Sequence, residues 1–335
     1  MAIPSDISVG FAAESTFKTF VTPTRWVEPV DETLDWTKGH KQGQGLRVGA
    51  RIPRAGRRVV PTAQGKGDLT VEVAAKGLGT LFQWALGGTS TSTVVSGSTY
   101  QQNHAIGNLS SMTLQKGIPE VGGTVDAYSF LGCVVDSLDI DSVNGDIVTA
   151  KLGLDIADVS TAQSLTAPSY VASTVNLFHF GAATMAIGGT ITDASTTALP
   201  SSAAPITTGV RSFSLSMKNN IQADRFNYGG SGRKSLQVDK LRSITGKFVA
   251  EYDQTTLRDA FLGDTSSSLL LTFTGGSLSS GSETFAISLP CVRLDGQLPN
   301  GKKGELVTIE HSFTVLDNLS NAPMQVCFRT SDSAL

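Results

Sequence analysis

Two alternating runs, Val134-Val-Asp-Ser-Leu-Asp-Ile140 and Asp146-Ile-Val-Thr-Ala-Lys-Leu-Gly-Leu-Asp-Ile156, flank the dipeptide Asn144-Gly145. In both runs an apolar residue occupies every second position. A period of two puts alternate side chains on opposite faces of a β-strand, one face buried and the other solvated. Asn-Gly between two such runs is typical of a tight hairpin turn. The stretch therefore predicts two antiparallel strands joined by a short turn.

The same alternation recurs in other segments of the chain, which makes antiparallel sheet the expected basis of the whole fold. These segments are 69–73, 211–217, 285–289 and 305–315. Two segments, 76–86 and 253–262, instead repeat apolar residues at helical spacing and predict short flanking α-helices. Gly87 and Gly263 follow them as expected C-terminal caps, and Asp253 is the expected N-cap of the second helix.

Each half of the chain shows the same order of features: strand, Gly-rich basic segment, strand, helix ending in Leu-Gly, Ser/Thr-rich linker and hairpin. The matching anchors are Leu34–Gly39 with Leu215–Asn220, Trp84–Gly87 with Ala260–Gly263, and Gly145–Thr149 with Gly304–Thr308. Such self-similarity predicts an internal duplication. We expect one β-sandwich or barrel domain in residues 1–160 and a second, related one in residues 161–335.

Composition excludes several classes of protein. Charged residues make up 16% and hydrophobic residues 40% of the 335 positions, with a net charge of −3, so no global charge indicates a nucleic-acid binder. Three cysteines without C-x-x-C spacing predict small buried side chains in a reducing compartment. The N-terminus lacks the pattern of a secretory signal, and no apolar run is long enough for a membrane span. We expect a protein made in the cytoplasm, with no membrane contact.

A long basic segment, residues 37–67, contains no acidic residue. Its cations are Lys38, Lys41, Arg47, Arg51, Arg54, Arg57, Arg58 and Lys66, and the corresponding part of the second half carries Arg225, Arg233 and Lys234. A structureless segment of this length is unusual in a compact domain unless it binds something or is disordered.

Three interpretations of the basic segment remain open: a solvated mobile loop, a nucleic-acid contact, or an arm that orders against a neighbouring subunit. The segment has no aromatic residue after Trp36 on which bases could stack. Ordering about thirty residues costs tens of kcal/mol, at about 1–2 kcal/mol each, which a large assembly interface would offset. The arm is the favoured interpretation, with arginine forks pairing to carboxylates of the partner.

Signs of catalysis are sparse. The four histidines are scattered, and His311 lies in an alternating strand where a structural role is expected. Cys133 and Cys291 fall in predicted strands, which favours core positions over nucleophiles. Asp136, Asp139 and Asp141 crowd one strand without EF-hand spacing, so a solvated or luminal acidic face is preferred to a calcium site. We expect no enzyme activity, no cofactor and no metal.

Several motifs give the chain a family resemblance. They are Gly10–Arg25, Glu32–Trp36, Gln44–Arg47, Arg57–Val60, Val71–Val73 and Lys76–Gly79. Over residues 10–87 the chain resembles the major tail tube proteins of long-tailed bacteriophages. The resemblance implies packed antiparallel sheets with a flanking helix, polymerised as stacked rings around a lumen, and a long loop that contacts the adjacent ring.

The resemblance also implies partners and a location. Members with two such domains form trimeric rings with pseudo-sixfold symmetry, so the duplication favours a trimer over a hexamer. The expected partners are further copies of the chain, a tape measure protein and a tail terminator, with double-stranded DNA passing through without tight binding. The expected location is the virion tail.

A rival hypothesis from another class is a host-recognition or carbohydrate-binding β-sandwich module of a virion. That hypothesis requires exposed aromatic clusters, yet aromatic residues are only 7% of the chain. The three tryptophans, Trp26, Trp36 and Trp84, all fall in predicted strands or a helix.

Overall fold

The computed structural model describes residues 7–120, 122–171, 175–206, 208–233, 240–296, 298–299 and 306–335. In these residues the chain forms antiparallel β-strands and two short α-helices, which confirms the predicted mainly β fold. We call residues 1–160 the first half and residues 161–335 the second half.

The elements of the first half are β1 (Ser8–Ala13), β2 (Arg25–Val27), β3 (Pro29–Glu32), β4 (Asp35–Gln42), β5 (Arg58–Glu72), α1 (Gly79–Leu86), β6 (Ser92–Ser96), β7 (Thr99–Ala105), β8 (Met112–Pro119), β9 (Val125–Val143), β10 (Thr149–Ile156) and β11 (Asp158–Ser160). Those of the second half are β12 (Ala183–Ile187), β13 (Thr190–Thr192), β14 (Ser201–Ala203), β15 (Val210–Lys218), β16 (Ser243–Glu251), α2 (Thr256–Leu262), β17 (Ser267–Ser277), β18 (Ser282–Asp295), β19 (Thr308–Val315) and β20 (Gln325–Thr330).

Strands from both halves join in one eight-stranded antiparallel sheet, which we call the joint sheet. Its order is β4, β5, β10, β9, β15, β16, β19 and β18, with β3 also pairing to β5. The halves meet where residues 212–218 of β15 run opposite residues 137–143 of β9, a boundary we call the seam. One face of the sheet is apolar and the other is solvated. On β9, Leu138 and Ile140 are buried on the apolar face, whereas Asp141 is exposed on the opposite face.

The remaining strands extend two of the long strands into further sheets. The amino-terminal part of β9 pairs with β8 and β11, and β8 continues to β1 and β2. The amino-terminal part of β18 pairs with β17 and β20, which continue to β12 and to β7 and β6. The buried faces share one apolar core, in which the Phe82 ring of α1 lies 5.7 Å from Phe285 and 5.1 Å from Phe328.

The strand pairings of the first half recur in the second half in the same chain order. The first half pairs β1–β8, β4–β5, β5–β10, β10–β9 and β9–β11, and the second pairs β12–β17, β15–β16, β16–β19, β19–β18 and β18–β20. The register also agrees, since Thr149 lies opposite Glu72 and Thr308 lies opposite Glu251. Strands β6 and β7 have no counterpart among the described strands of the second half, and β7 pairs across the halves with β20.

Two glycines occupy the same place in the two halves. A Cβ on Gly67 would lie 2.5 Å from the carbonyl oxygen of Thr33, and one on Gly246 would lie 2.5 Å from that of Ser214. Both clashes are with backbone, which cannot rotate away. The neighbouring strand therefore approaches so closely that only glycine fits at these two positions.

The basic segment 37–67 was expected to be structureless, but most of it is paired β-strand. Strands β4 and β5 pair from Asp35 opposite Lys66 to Gln42 opposite Arg58, and only residues 43–57 connect them. The segment is thus a projecting β-hairpin, which we call the arm, with residues 43–57 as its tip. A short 3-10 turn, Ala55–Arg57, lies within the tip.

The predicted turn and helices are confirmed, but both helices begin later than predicted, α1 at Gly79 instead of Lys76. Gly145 adopts a left-handed conformation (φ +82°) in the turn between β9 and β10, and Gly87 does so (φ +85°) at the end of α1. Helix α2 begins later than predicted, because Thr255 and not Asp253 occupies the N-cap position. The Asp253 carboxylate instead accepts a hydrogen bond from the Thr208 hydroxyl, 2.9 Å away.

The Ser/Thr/Ala-rich segment 193–204 is bound to the rest of the protein through its backbone. The Gln101 amide donates to the carbonyl oxygens of Ser195 and Ala198 at 2.8 and 2.9 Å, and the Arg329 guanidinium donates to that of Thr197 at 2.6 Å. Its own side chains are mostly exposed, so side-chain composition alone does not reveal the docking.

Candidate assembly surfaces

The arm presents its predicted basic residues to solvent. Lys38 and Lys41 lie on β4, Arg47, Arg51, Arg54 and Arg57 in the tip, and Arg58 and Lys66 on β5; all are exposed except Arg54, which is half-buried. None of the eight forms an ion pair with another described residue. The tip therefore offers cations whose carboxylate partners, if they exist, lie outside the described chain.

The tip also exposes apolar side chains. Leu46, Val48 and Ile52 are 100%, 102% and 80% exposed, and Val59 on the adjoining part of β5 is 58% exposed. Large apolar side chains next to guanidinium groups are typical of a surface that another protein covers. Sequence reasoning singled out the cations of this segment and overlooked these four residues.

The second half's cations behave differently from those of the arm. The Arg233 side chain is fully buried, and its guanidinium pairs with the Asp155 carboxylate (Nη2 to Oδ1, 2.9 Å) and donates to the Gln64 amide oxygen at 3.1 Å. Its guanidinium also lies 5.6 Å from the centre of the Phe226 ring. Arg225 is half-buried, and Lys234 lies outside the described residues. Arg233 is thus committed to a contact within the chain.

The loop after β15 fastens the second half onto the first. The buried Asn219 donates from its amide to the carbonyl oxygens of Ala85 (3.0 Å) and Val135 (2.8 Å). The Ile221 N–H donates to the Asp136 carboxylate at 2.9 Å. At the other end of the loop, the Arg242 guanidinium donates to the Leu86 carbonyl oxygen at 2.7 Å. These bonds attach residues that follow β15 to the carboxy end of α1 and to β9 of the first half.

The solvated face of the joint sheet is polar and carries the expected acidic residues. Asp139 and Asp141 lie there, opposite Ser216 and Ser214 across the seam. Partial enclosure of its carboxyl group by neighbouring strands, and then the carboxylate of Asp139, raise the pKa of Asp141, while Lys247 opposes the shift. Asp136, grouped with these two in the sequence analysis, belongs to the seam instead, as its bond to Ile221 shows.

Ion pairs tie neighbouring strands together on this face. Lys151 bonds Asp68 at 2.8 Å, Arg211 bonds Glu251 at 2.8 Å, and Lys247 bonds Glu310 at 3.1 Å. All six side chains are largely exposed, so each pair contributes about 1 kcal/mol or less to stability. Since these cations are paired, the face offers few free positive charges to a polyanion.

Buried reactive groups serve the core. Burial raises the pKa of the Cys133 thiol, and the nearby Glu14 carboxylate raises it further, so the thiol stays protonated and unreactive. Burial lowers the pKa of His104 to about 3, and its Nδ1 lies 2.8 Å from the Ser90 hydroxyl. His311, buried in β19, stacks on Phe248 with the ring centres 5.2 Å apart. In the described chain, no three His, Cys, Asp or Glu side chains gather as a metal site would require.

The exposed surface of the described residues gives little support to the rival binding-module hypothesis, which requires clusters of exposed aromatic side chains. Among the large exposed hydrophobic side chains of the described residues, only Tyr170 and Tyr228 are aromatic, at 43% and 103% exposure. Neither α-helix in the described part of the chain has the length and apolar character needed to cross a bilayer.

The packed antiparallel sheets, the two short helices and the projecting arm define a mainly β protein. The sequence profile of a family described as phage tail tube protein matches residues 4–315, and the chain belongs to this family. A search of curated protein sequences gave no match. The resemblance read from residues 10–87 is confirmed, and the chain is a structural component of the virion tail, where members of the family assemble into a tube.

Proposed function

We propose that this chain polymerises as stacked rings into the phage tail tube and that the tube conducts the genome during ejection. The observation that carries the proposal is the seam between β9 and β15. Strand β15 has neighbours on both sides, whereas β3 and β4, at the corresponding place in the first half, pair only with β5 among the described strands. Unpaired strand edges are ready to pair with another chain.

Ring closure follows from repetition of the seam between copies. The recurrence of pairings and register supports two duplicated domains, residues 1–160 and 161–335, with β6 and β7 as an insertion of the first that packs on the second. Three copies then supply six similar positions around one axis. A head-to-tail interface of this kind generates a closed ring, and we favour the trimer over the hexamer.

The arm stacks one ring on the next. Its apolar tip residues, Leu46, Val48 and Ile52, would each contribute about 1.5–3 kcal/mol if fully buried against the adjacent ring. Those contributions offset part of the entropy lost when the 15-residue tip is ordered, at about 1–2 kcal/mol per residue, and the remainder has to come from other contacts with the adjacent ring. The cations of the arm other than Lys38 add pairing with carboxylates, and the forked guanidinium groups fix its orientation.

The solvated face of the joint sheet lines the lumen. Carboxylates such as Asp139 and Asp141 repel the phosphates of double-stranded DNA, so the genome passes without being held. This charge, and the pairing of Lys151 and Lys247 within the chain, support a conduit and not a binding site. A tape measure protein would occupy this lumen before ejection, a tail terminator would end the tube, and assembly would take place in the bacterial cytoplasm.

Electron microscopy of two proteins tests the proposal. The wild-type chain at high concentration should form tubes in negative stain. A variant in which Asn-Gly replaces residues 43–57, leaving the Gln42–Arg58 pair in place, should form rings that do not stack. Wild-type protein that stays monomeric would refute ring formation, and normal tubes from the variant would remove the stacking role of the tip.

A further inference from the structure

The carboxy ends of the two helices differ sharply in exposure although both end in Leu-Gly. In α1, Leu86 is fully buried, whereas in α2 the corresponding Leu262 is 62% exposed. Helix α1 buries six of its eight residues, but α2 buries only Leu257 of its seven. When a leucine is exposed and its counterpart in the other half is buried, the exposed leucine indicates a surface that another chain covers.

Two elements cover the carboxy end of α1. One is residues 106–109 of the same half, where the Gly107 N–H donates to the Leu86 carbonyl oxygen at 3.0 Å. The other comes across the seam from the second half, where Asn219 and Arg242 donate to the carbonyl oxygens of Ala85 and Leu86. The second cover is a contact between halves, so a repeated seam would repeat it.

The register identifies the residue that corresponds to Asn219 in the first half. Leu215 lies opposite Gly246, and Leu34 lies against Gly67, whose Cβ would be 2.6 Å from the Leu34 Cα. Four residues further along each strand stand Asn219 and Lys38. Asn219 is fully buried at the seam, while Lys38 is exposed on the outer edge of the arm's base.

We propose that the base of the arm in one copy binds the carboxy end of α2 in the next copy of the same ring. Lys38 then takes the place of Asn219, its ammonium donating to the carbonyl oxygen of Leu262 at the end of α2, and the Leu262 side chain is buried. An ammonium group suits this place because the end of a helix carries partial negative charge. The inference rests on the proposed ring and names the side-to-side contact that closes it.

Cross-linking between differently tagged chains tests this contact. In a Cys291→Ser background, Lys38→Cys chains and Leu262→Cys chains are co-expressed and treated with a short bismaleimide; Cys133 and Cys327 are buried. The expected product is a covalent dimer, a shift from 35.0 kDa to twice that mass, only when both variants are present. Lys38→Cys with Leu319→Cys, another exposed leucine of the second half, is the matched control and should give no dimer.

A charge at Leu262 supplies a second readout. Leu262→Asp should keep the wild-type thermal transition, because the side chain is already exposed, yet lose rings and tubes; Leu319→Asp should keep both. Tubes formed normally by Leu262→Asp, or absence of the dimer in mixtures that do form tubes, would overturn the contact. If the wild-type chain itself forms no rings, the proposed function fails, and this outcome is distinct from the others.

Discussion

Gly246 lies on β16 between β15 and β19, which pack so closely around it that no larger side chain fits. A Cβ there would come within 2.4 Å of the Phe313 ring and 2.5 Å of the Ser214 carbonyl oxygen. We expect Gly246→Ala to destabilise the fold by about 1–3 kcal/mol through overpacking, measured by urea denaturation. Gly122→Ala is the control, since no atom lies within 4 Å of its Cβ. Equal stability of the two variants would show that the strands are not closely packed at Gly246.

His104 should make the stability of the protein depend on pH. Burial lowers its pKa to about 3, whereas an unfolded histidine titrates near 6.5. Below pH 6.5 the imidazole of His104 therefore binds a proton in the unfolded state, whereas in the folded state it stays neutral down to about pH 3. Stability should fall as the pH drops from 6.5 towards 3, by about 1.4 kcal/mol per unit from this residue alone.

Denaturation of His104→Gln at several pH values measures that dependence. Glutamine has no titratable ring and can still bond the Ser90 hydroxyl, so the variant should lose less stability between pH 6.5 and 4 than wild type. His40→Gln, at an exposed position on β4, is the matched control. If His104→Gln keeps the wild-type slope, other groups govern the acid sensitivity.

At the level of single residues, sequence patterns predicted which side chains are buried better than they predicted which side chains bind each other. Alternation placed Leu138 and Ile140 inside correctly, because a buried face leaves a mark on every second position. Nothing local distinguished Arg233 from the arm's arginines, since its partner Asp155 is 78 residues away. The role of Asn219 likewise depends on α1, which lies far from it in sequence.

Among the elements, the arm shows where pattern reasoning fails. Alternation arises only when one face of a strand is buried. In β5 the run from Arg58 to Pro61 is exposed on both faces, so its strands carry no period of two and resemble a loop. Its Gly-rich, basic composition gave the assembly prediction, while its hairpin structure followed from pairing that composition does not encode.

The loop that carries Arg233 should depend on one carboxylate. Asp155→Asn would leave the fully buried guanidinium without its charge partner, which typically costs about 3–5 kcal/mol. We expect a correspondingly lower midpoint in urea denaturation. Glu310→Gln is the comparison, because its carboxylate and the Lys247 ammonium, 3.1 Å apart, form an exposed pair worth about 1 kcal/mol or less. Similar losses in the two variants would argue against a structural role for the buried pair.

For the whole molecule, the similar order of features in the two halves could be read from the sequence because hydrophobic pattern and turn residues mark strands and turns locally. The anchors Leu34 with Leu215 and Thr149 with Thr308 share their registers in the structure. The crossing of β7 onto β20 was not visible, since it pairs residues about 225 positions apart with no local signature. Non-local strand pairing is the part of such a fold that sequence patterns specify least.

Ring size follows from the number of strands that one copy adds to the wall. In the proposed trimer each chain would supply the eight strands of the joint sheet, and three chains would close a barrel of about 24 strands. At about 4.8 Å between strands and a tilt of about 40°, that barrel has a backbone diameter of roughly 48 Å. Inward side chains narrow it to roughly 40 Å, and six chains would double the backbone diameter.

The variant with Asn-Gly in place of residues 43–57 allows this number to be measured without stacking. Native mass spectrometry should find a species of three chains, because three copies of two similar domains satisfy every seam. Class averages of the same rings in end-on view should show a lumen of roughly 40 Å. Monomers alone would mean that the seam does not repeat between copies, and a six-chain ring with a lumen about twice as wide would mean that the duplicated halves do not each take one position of a sixfold wall.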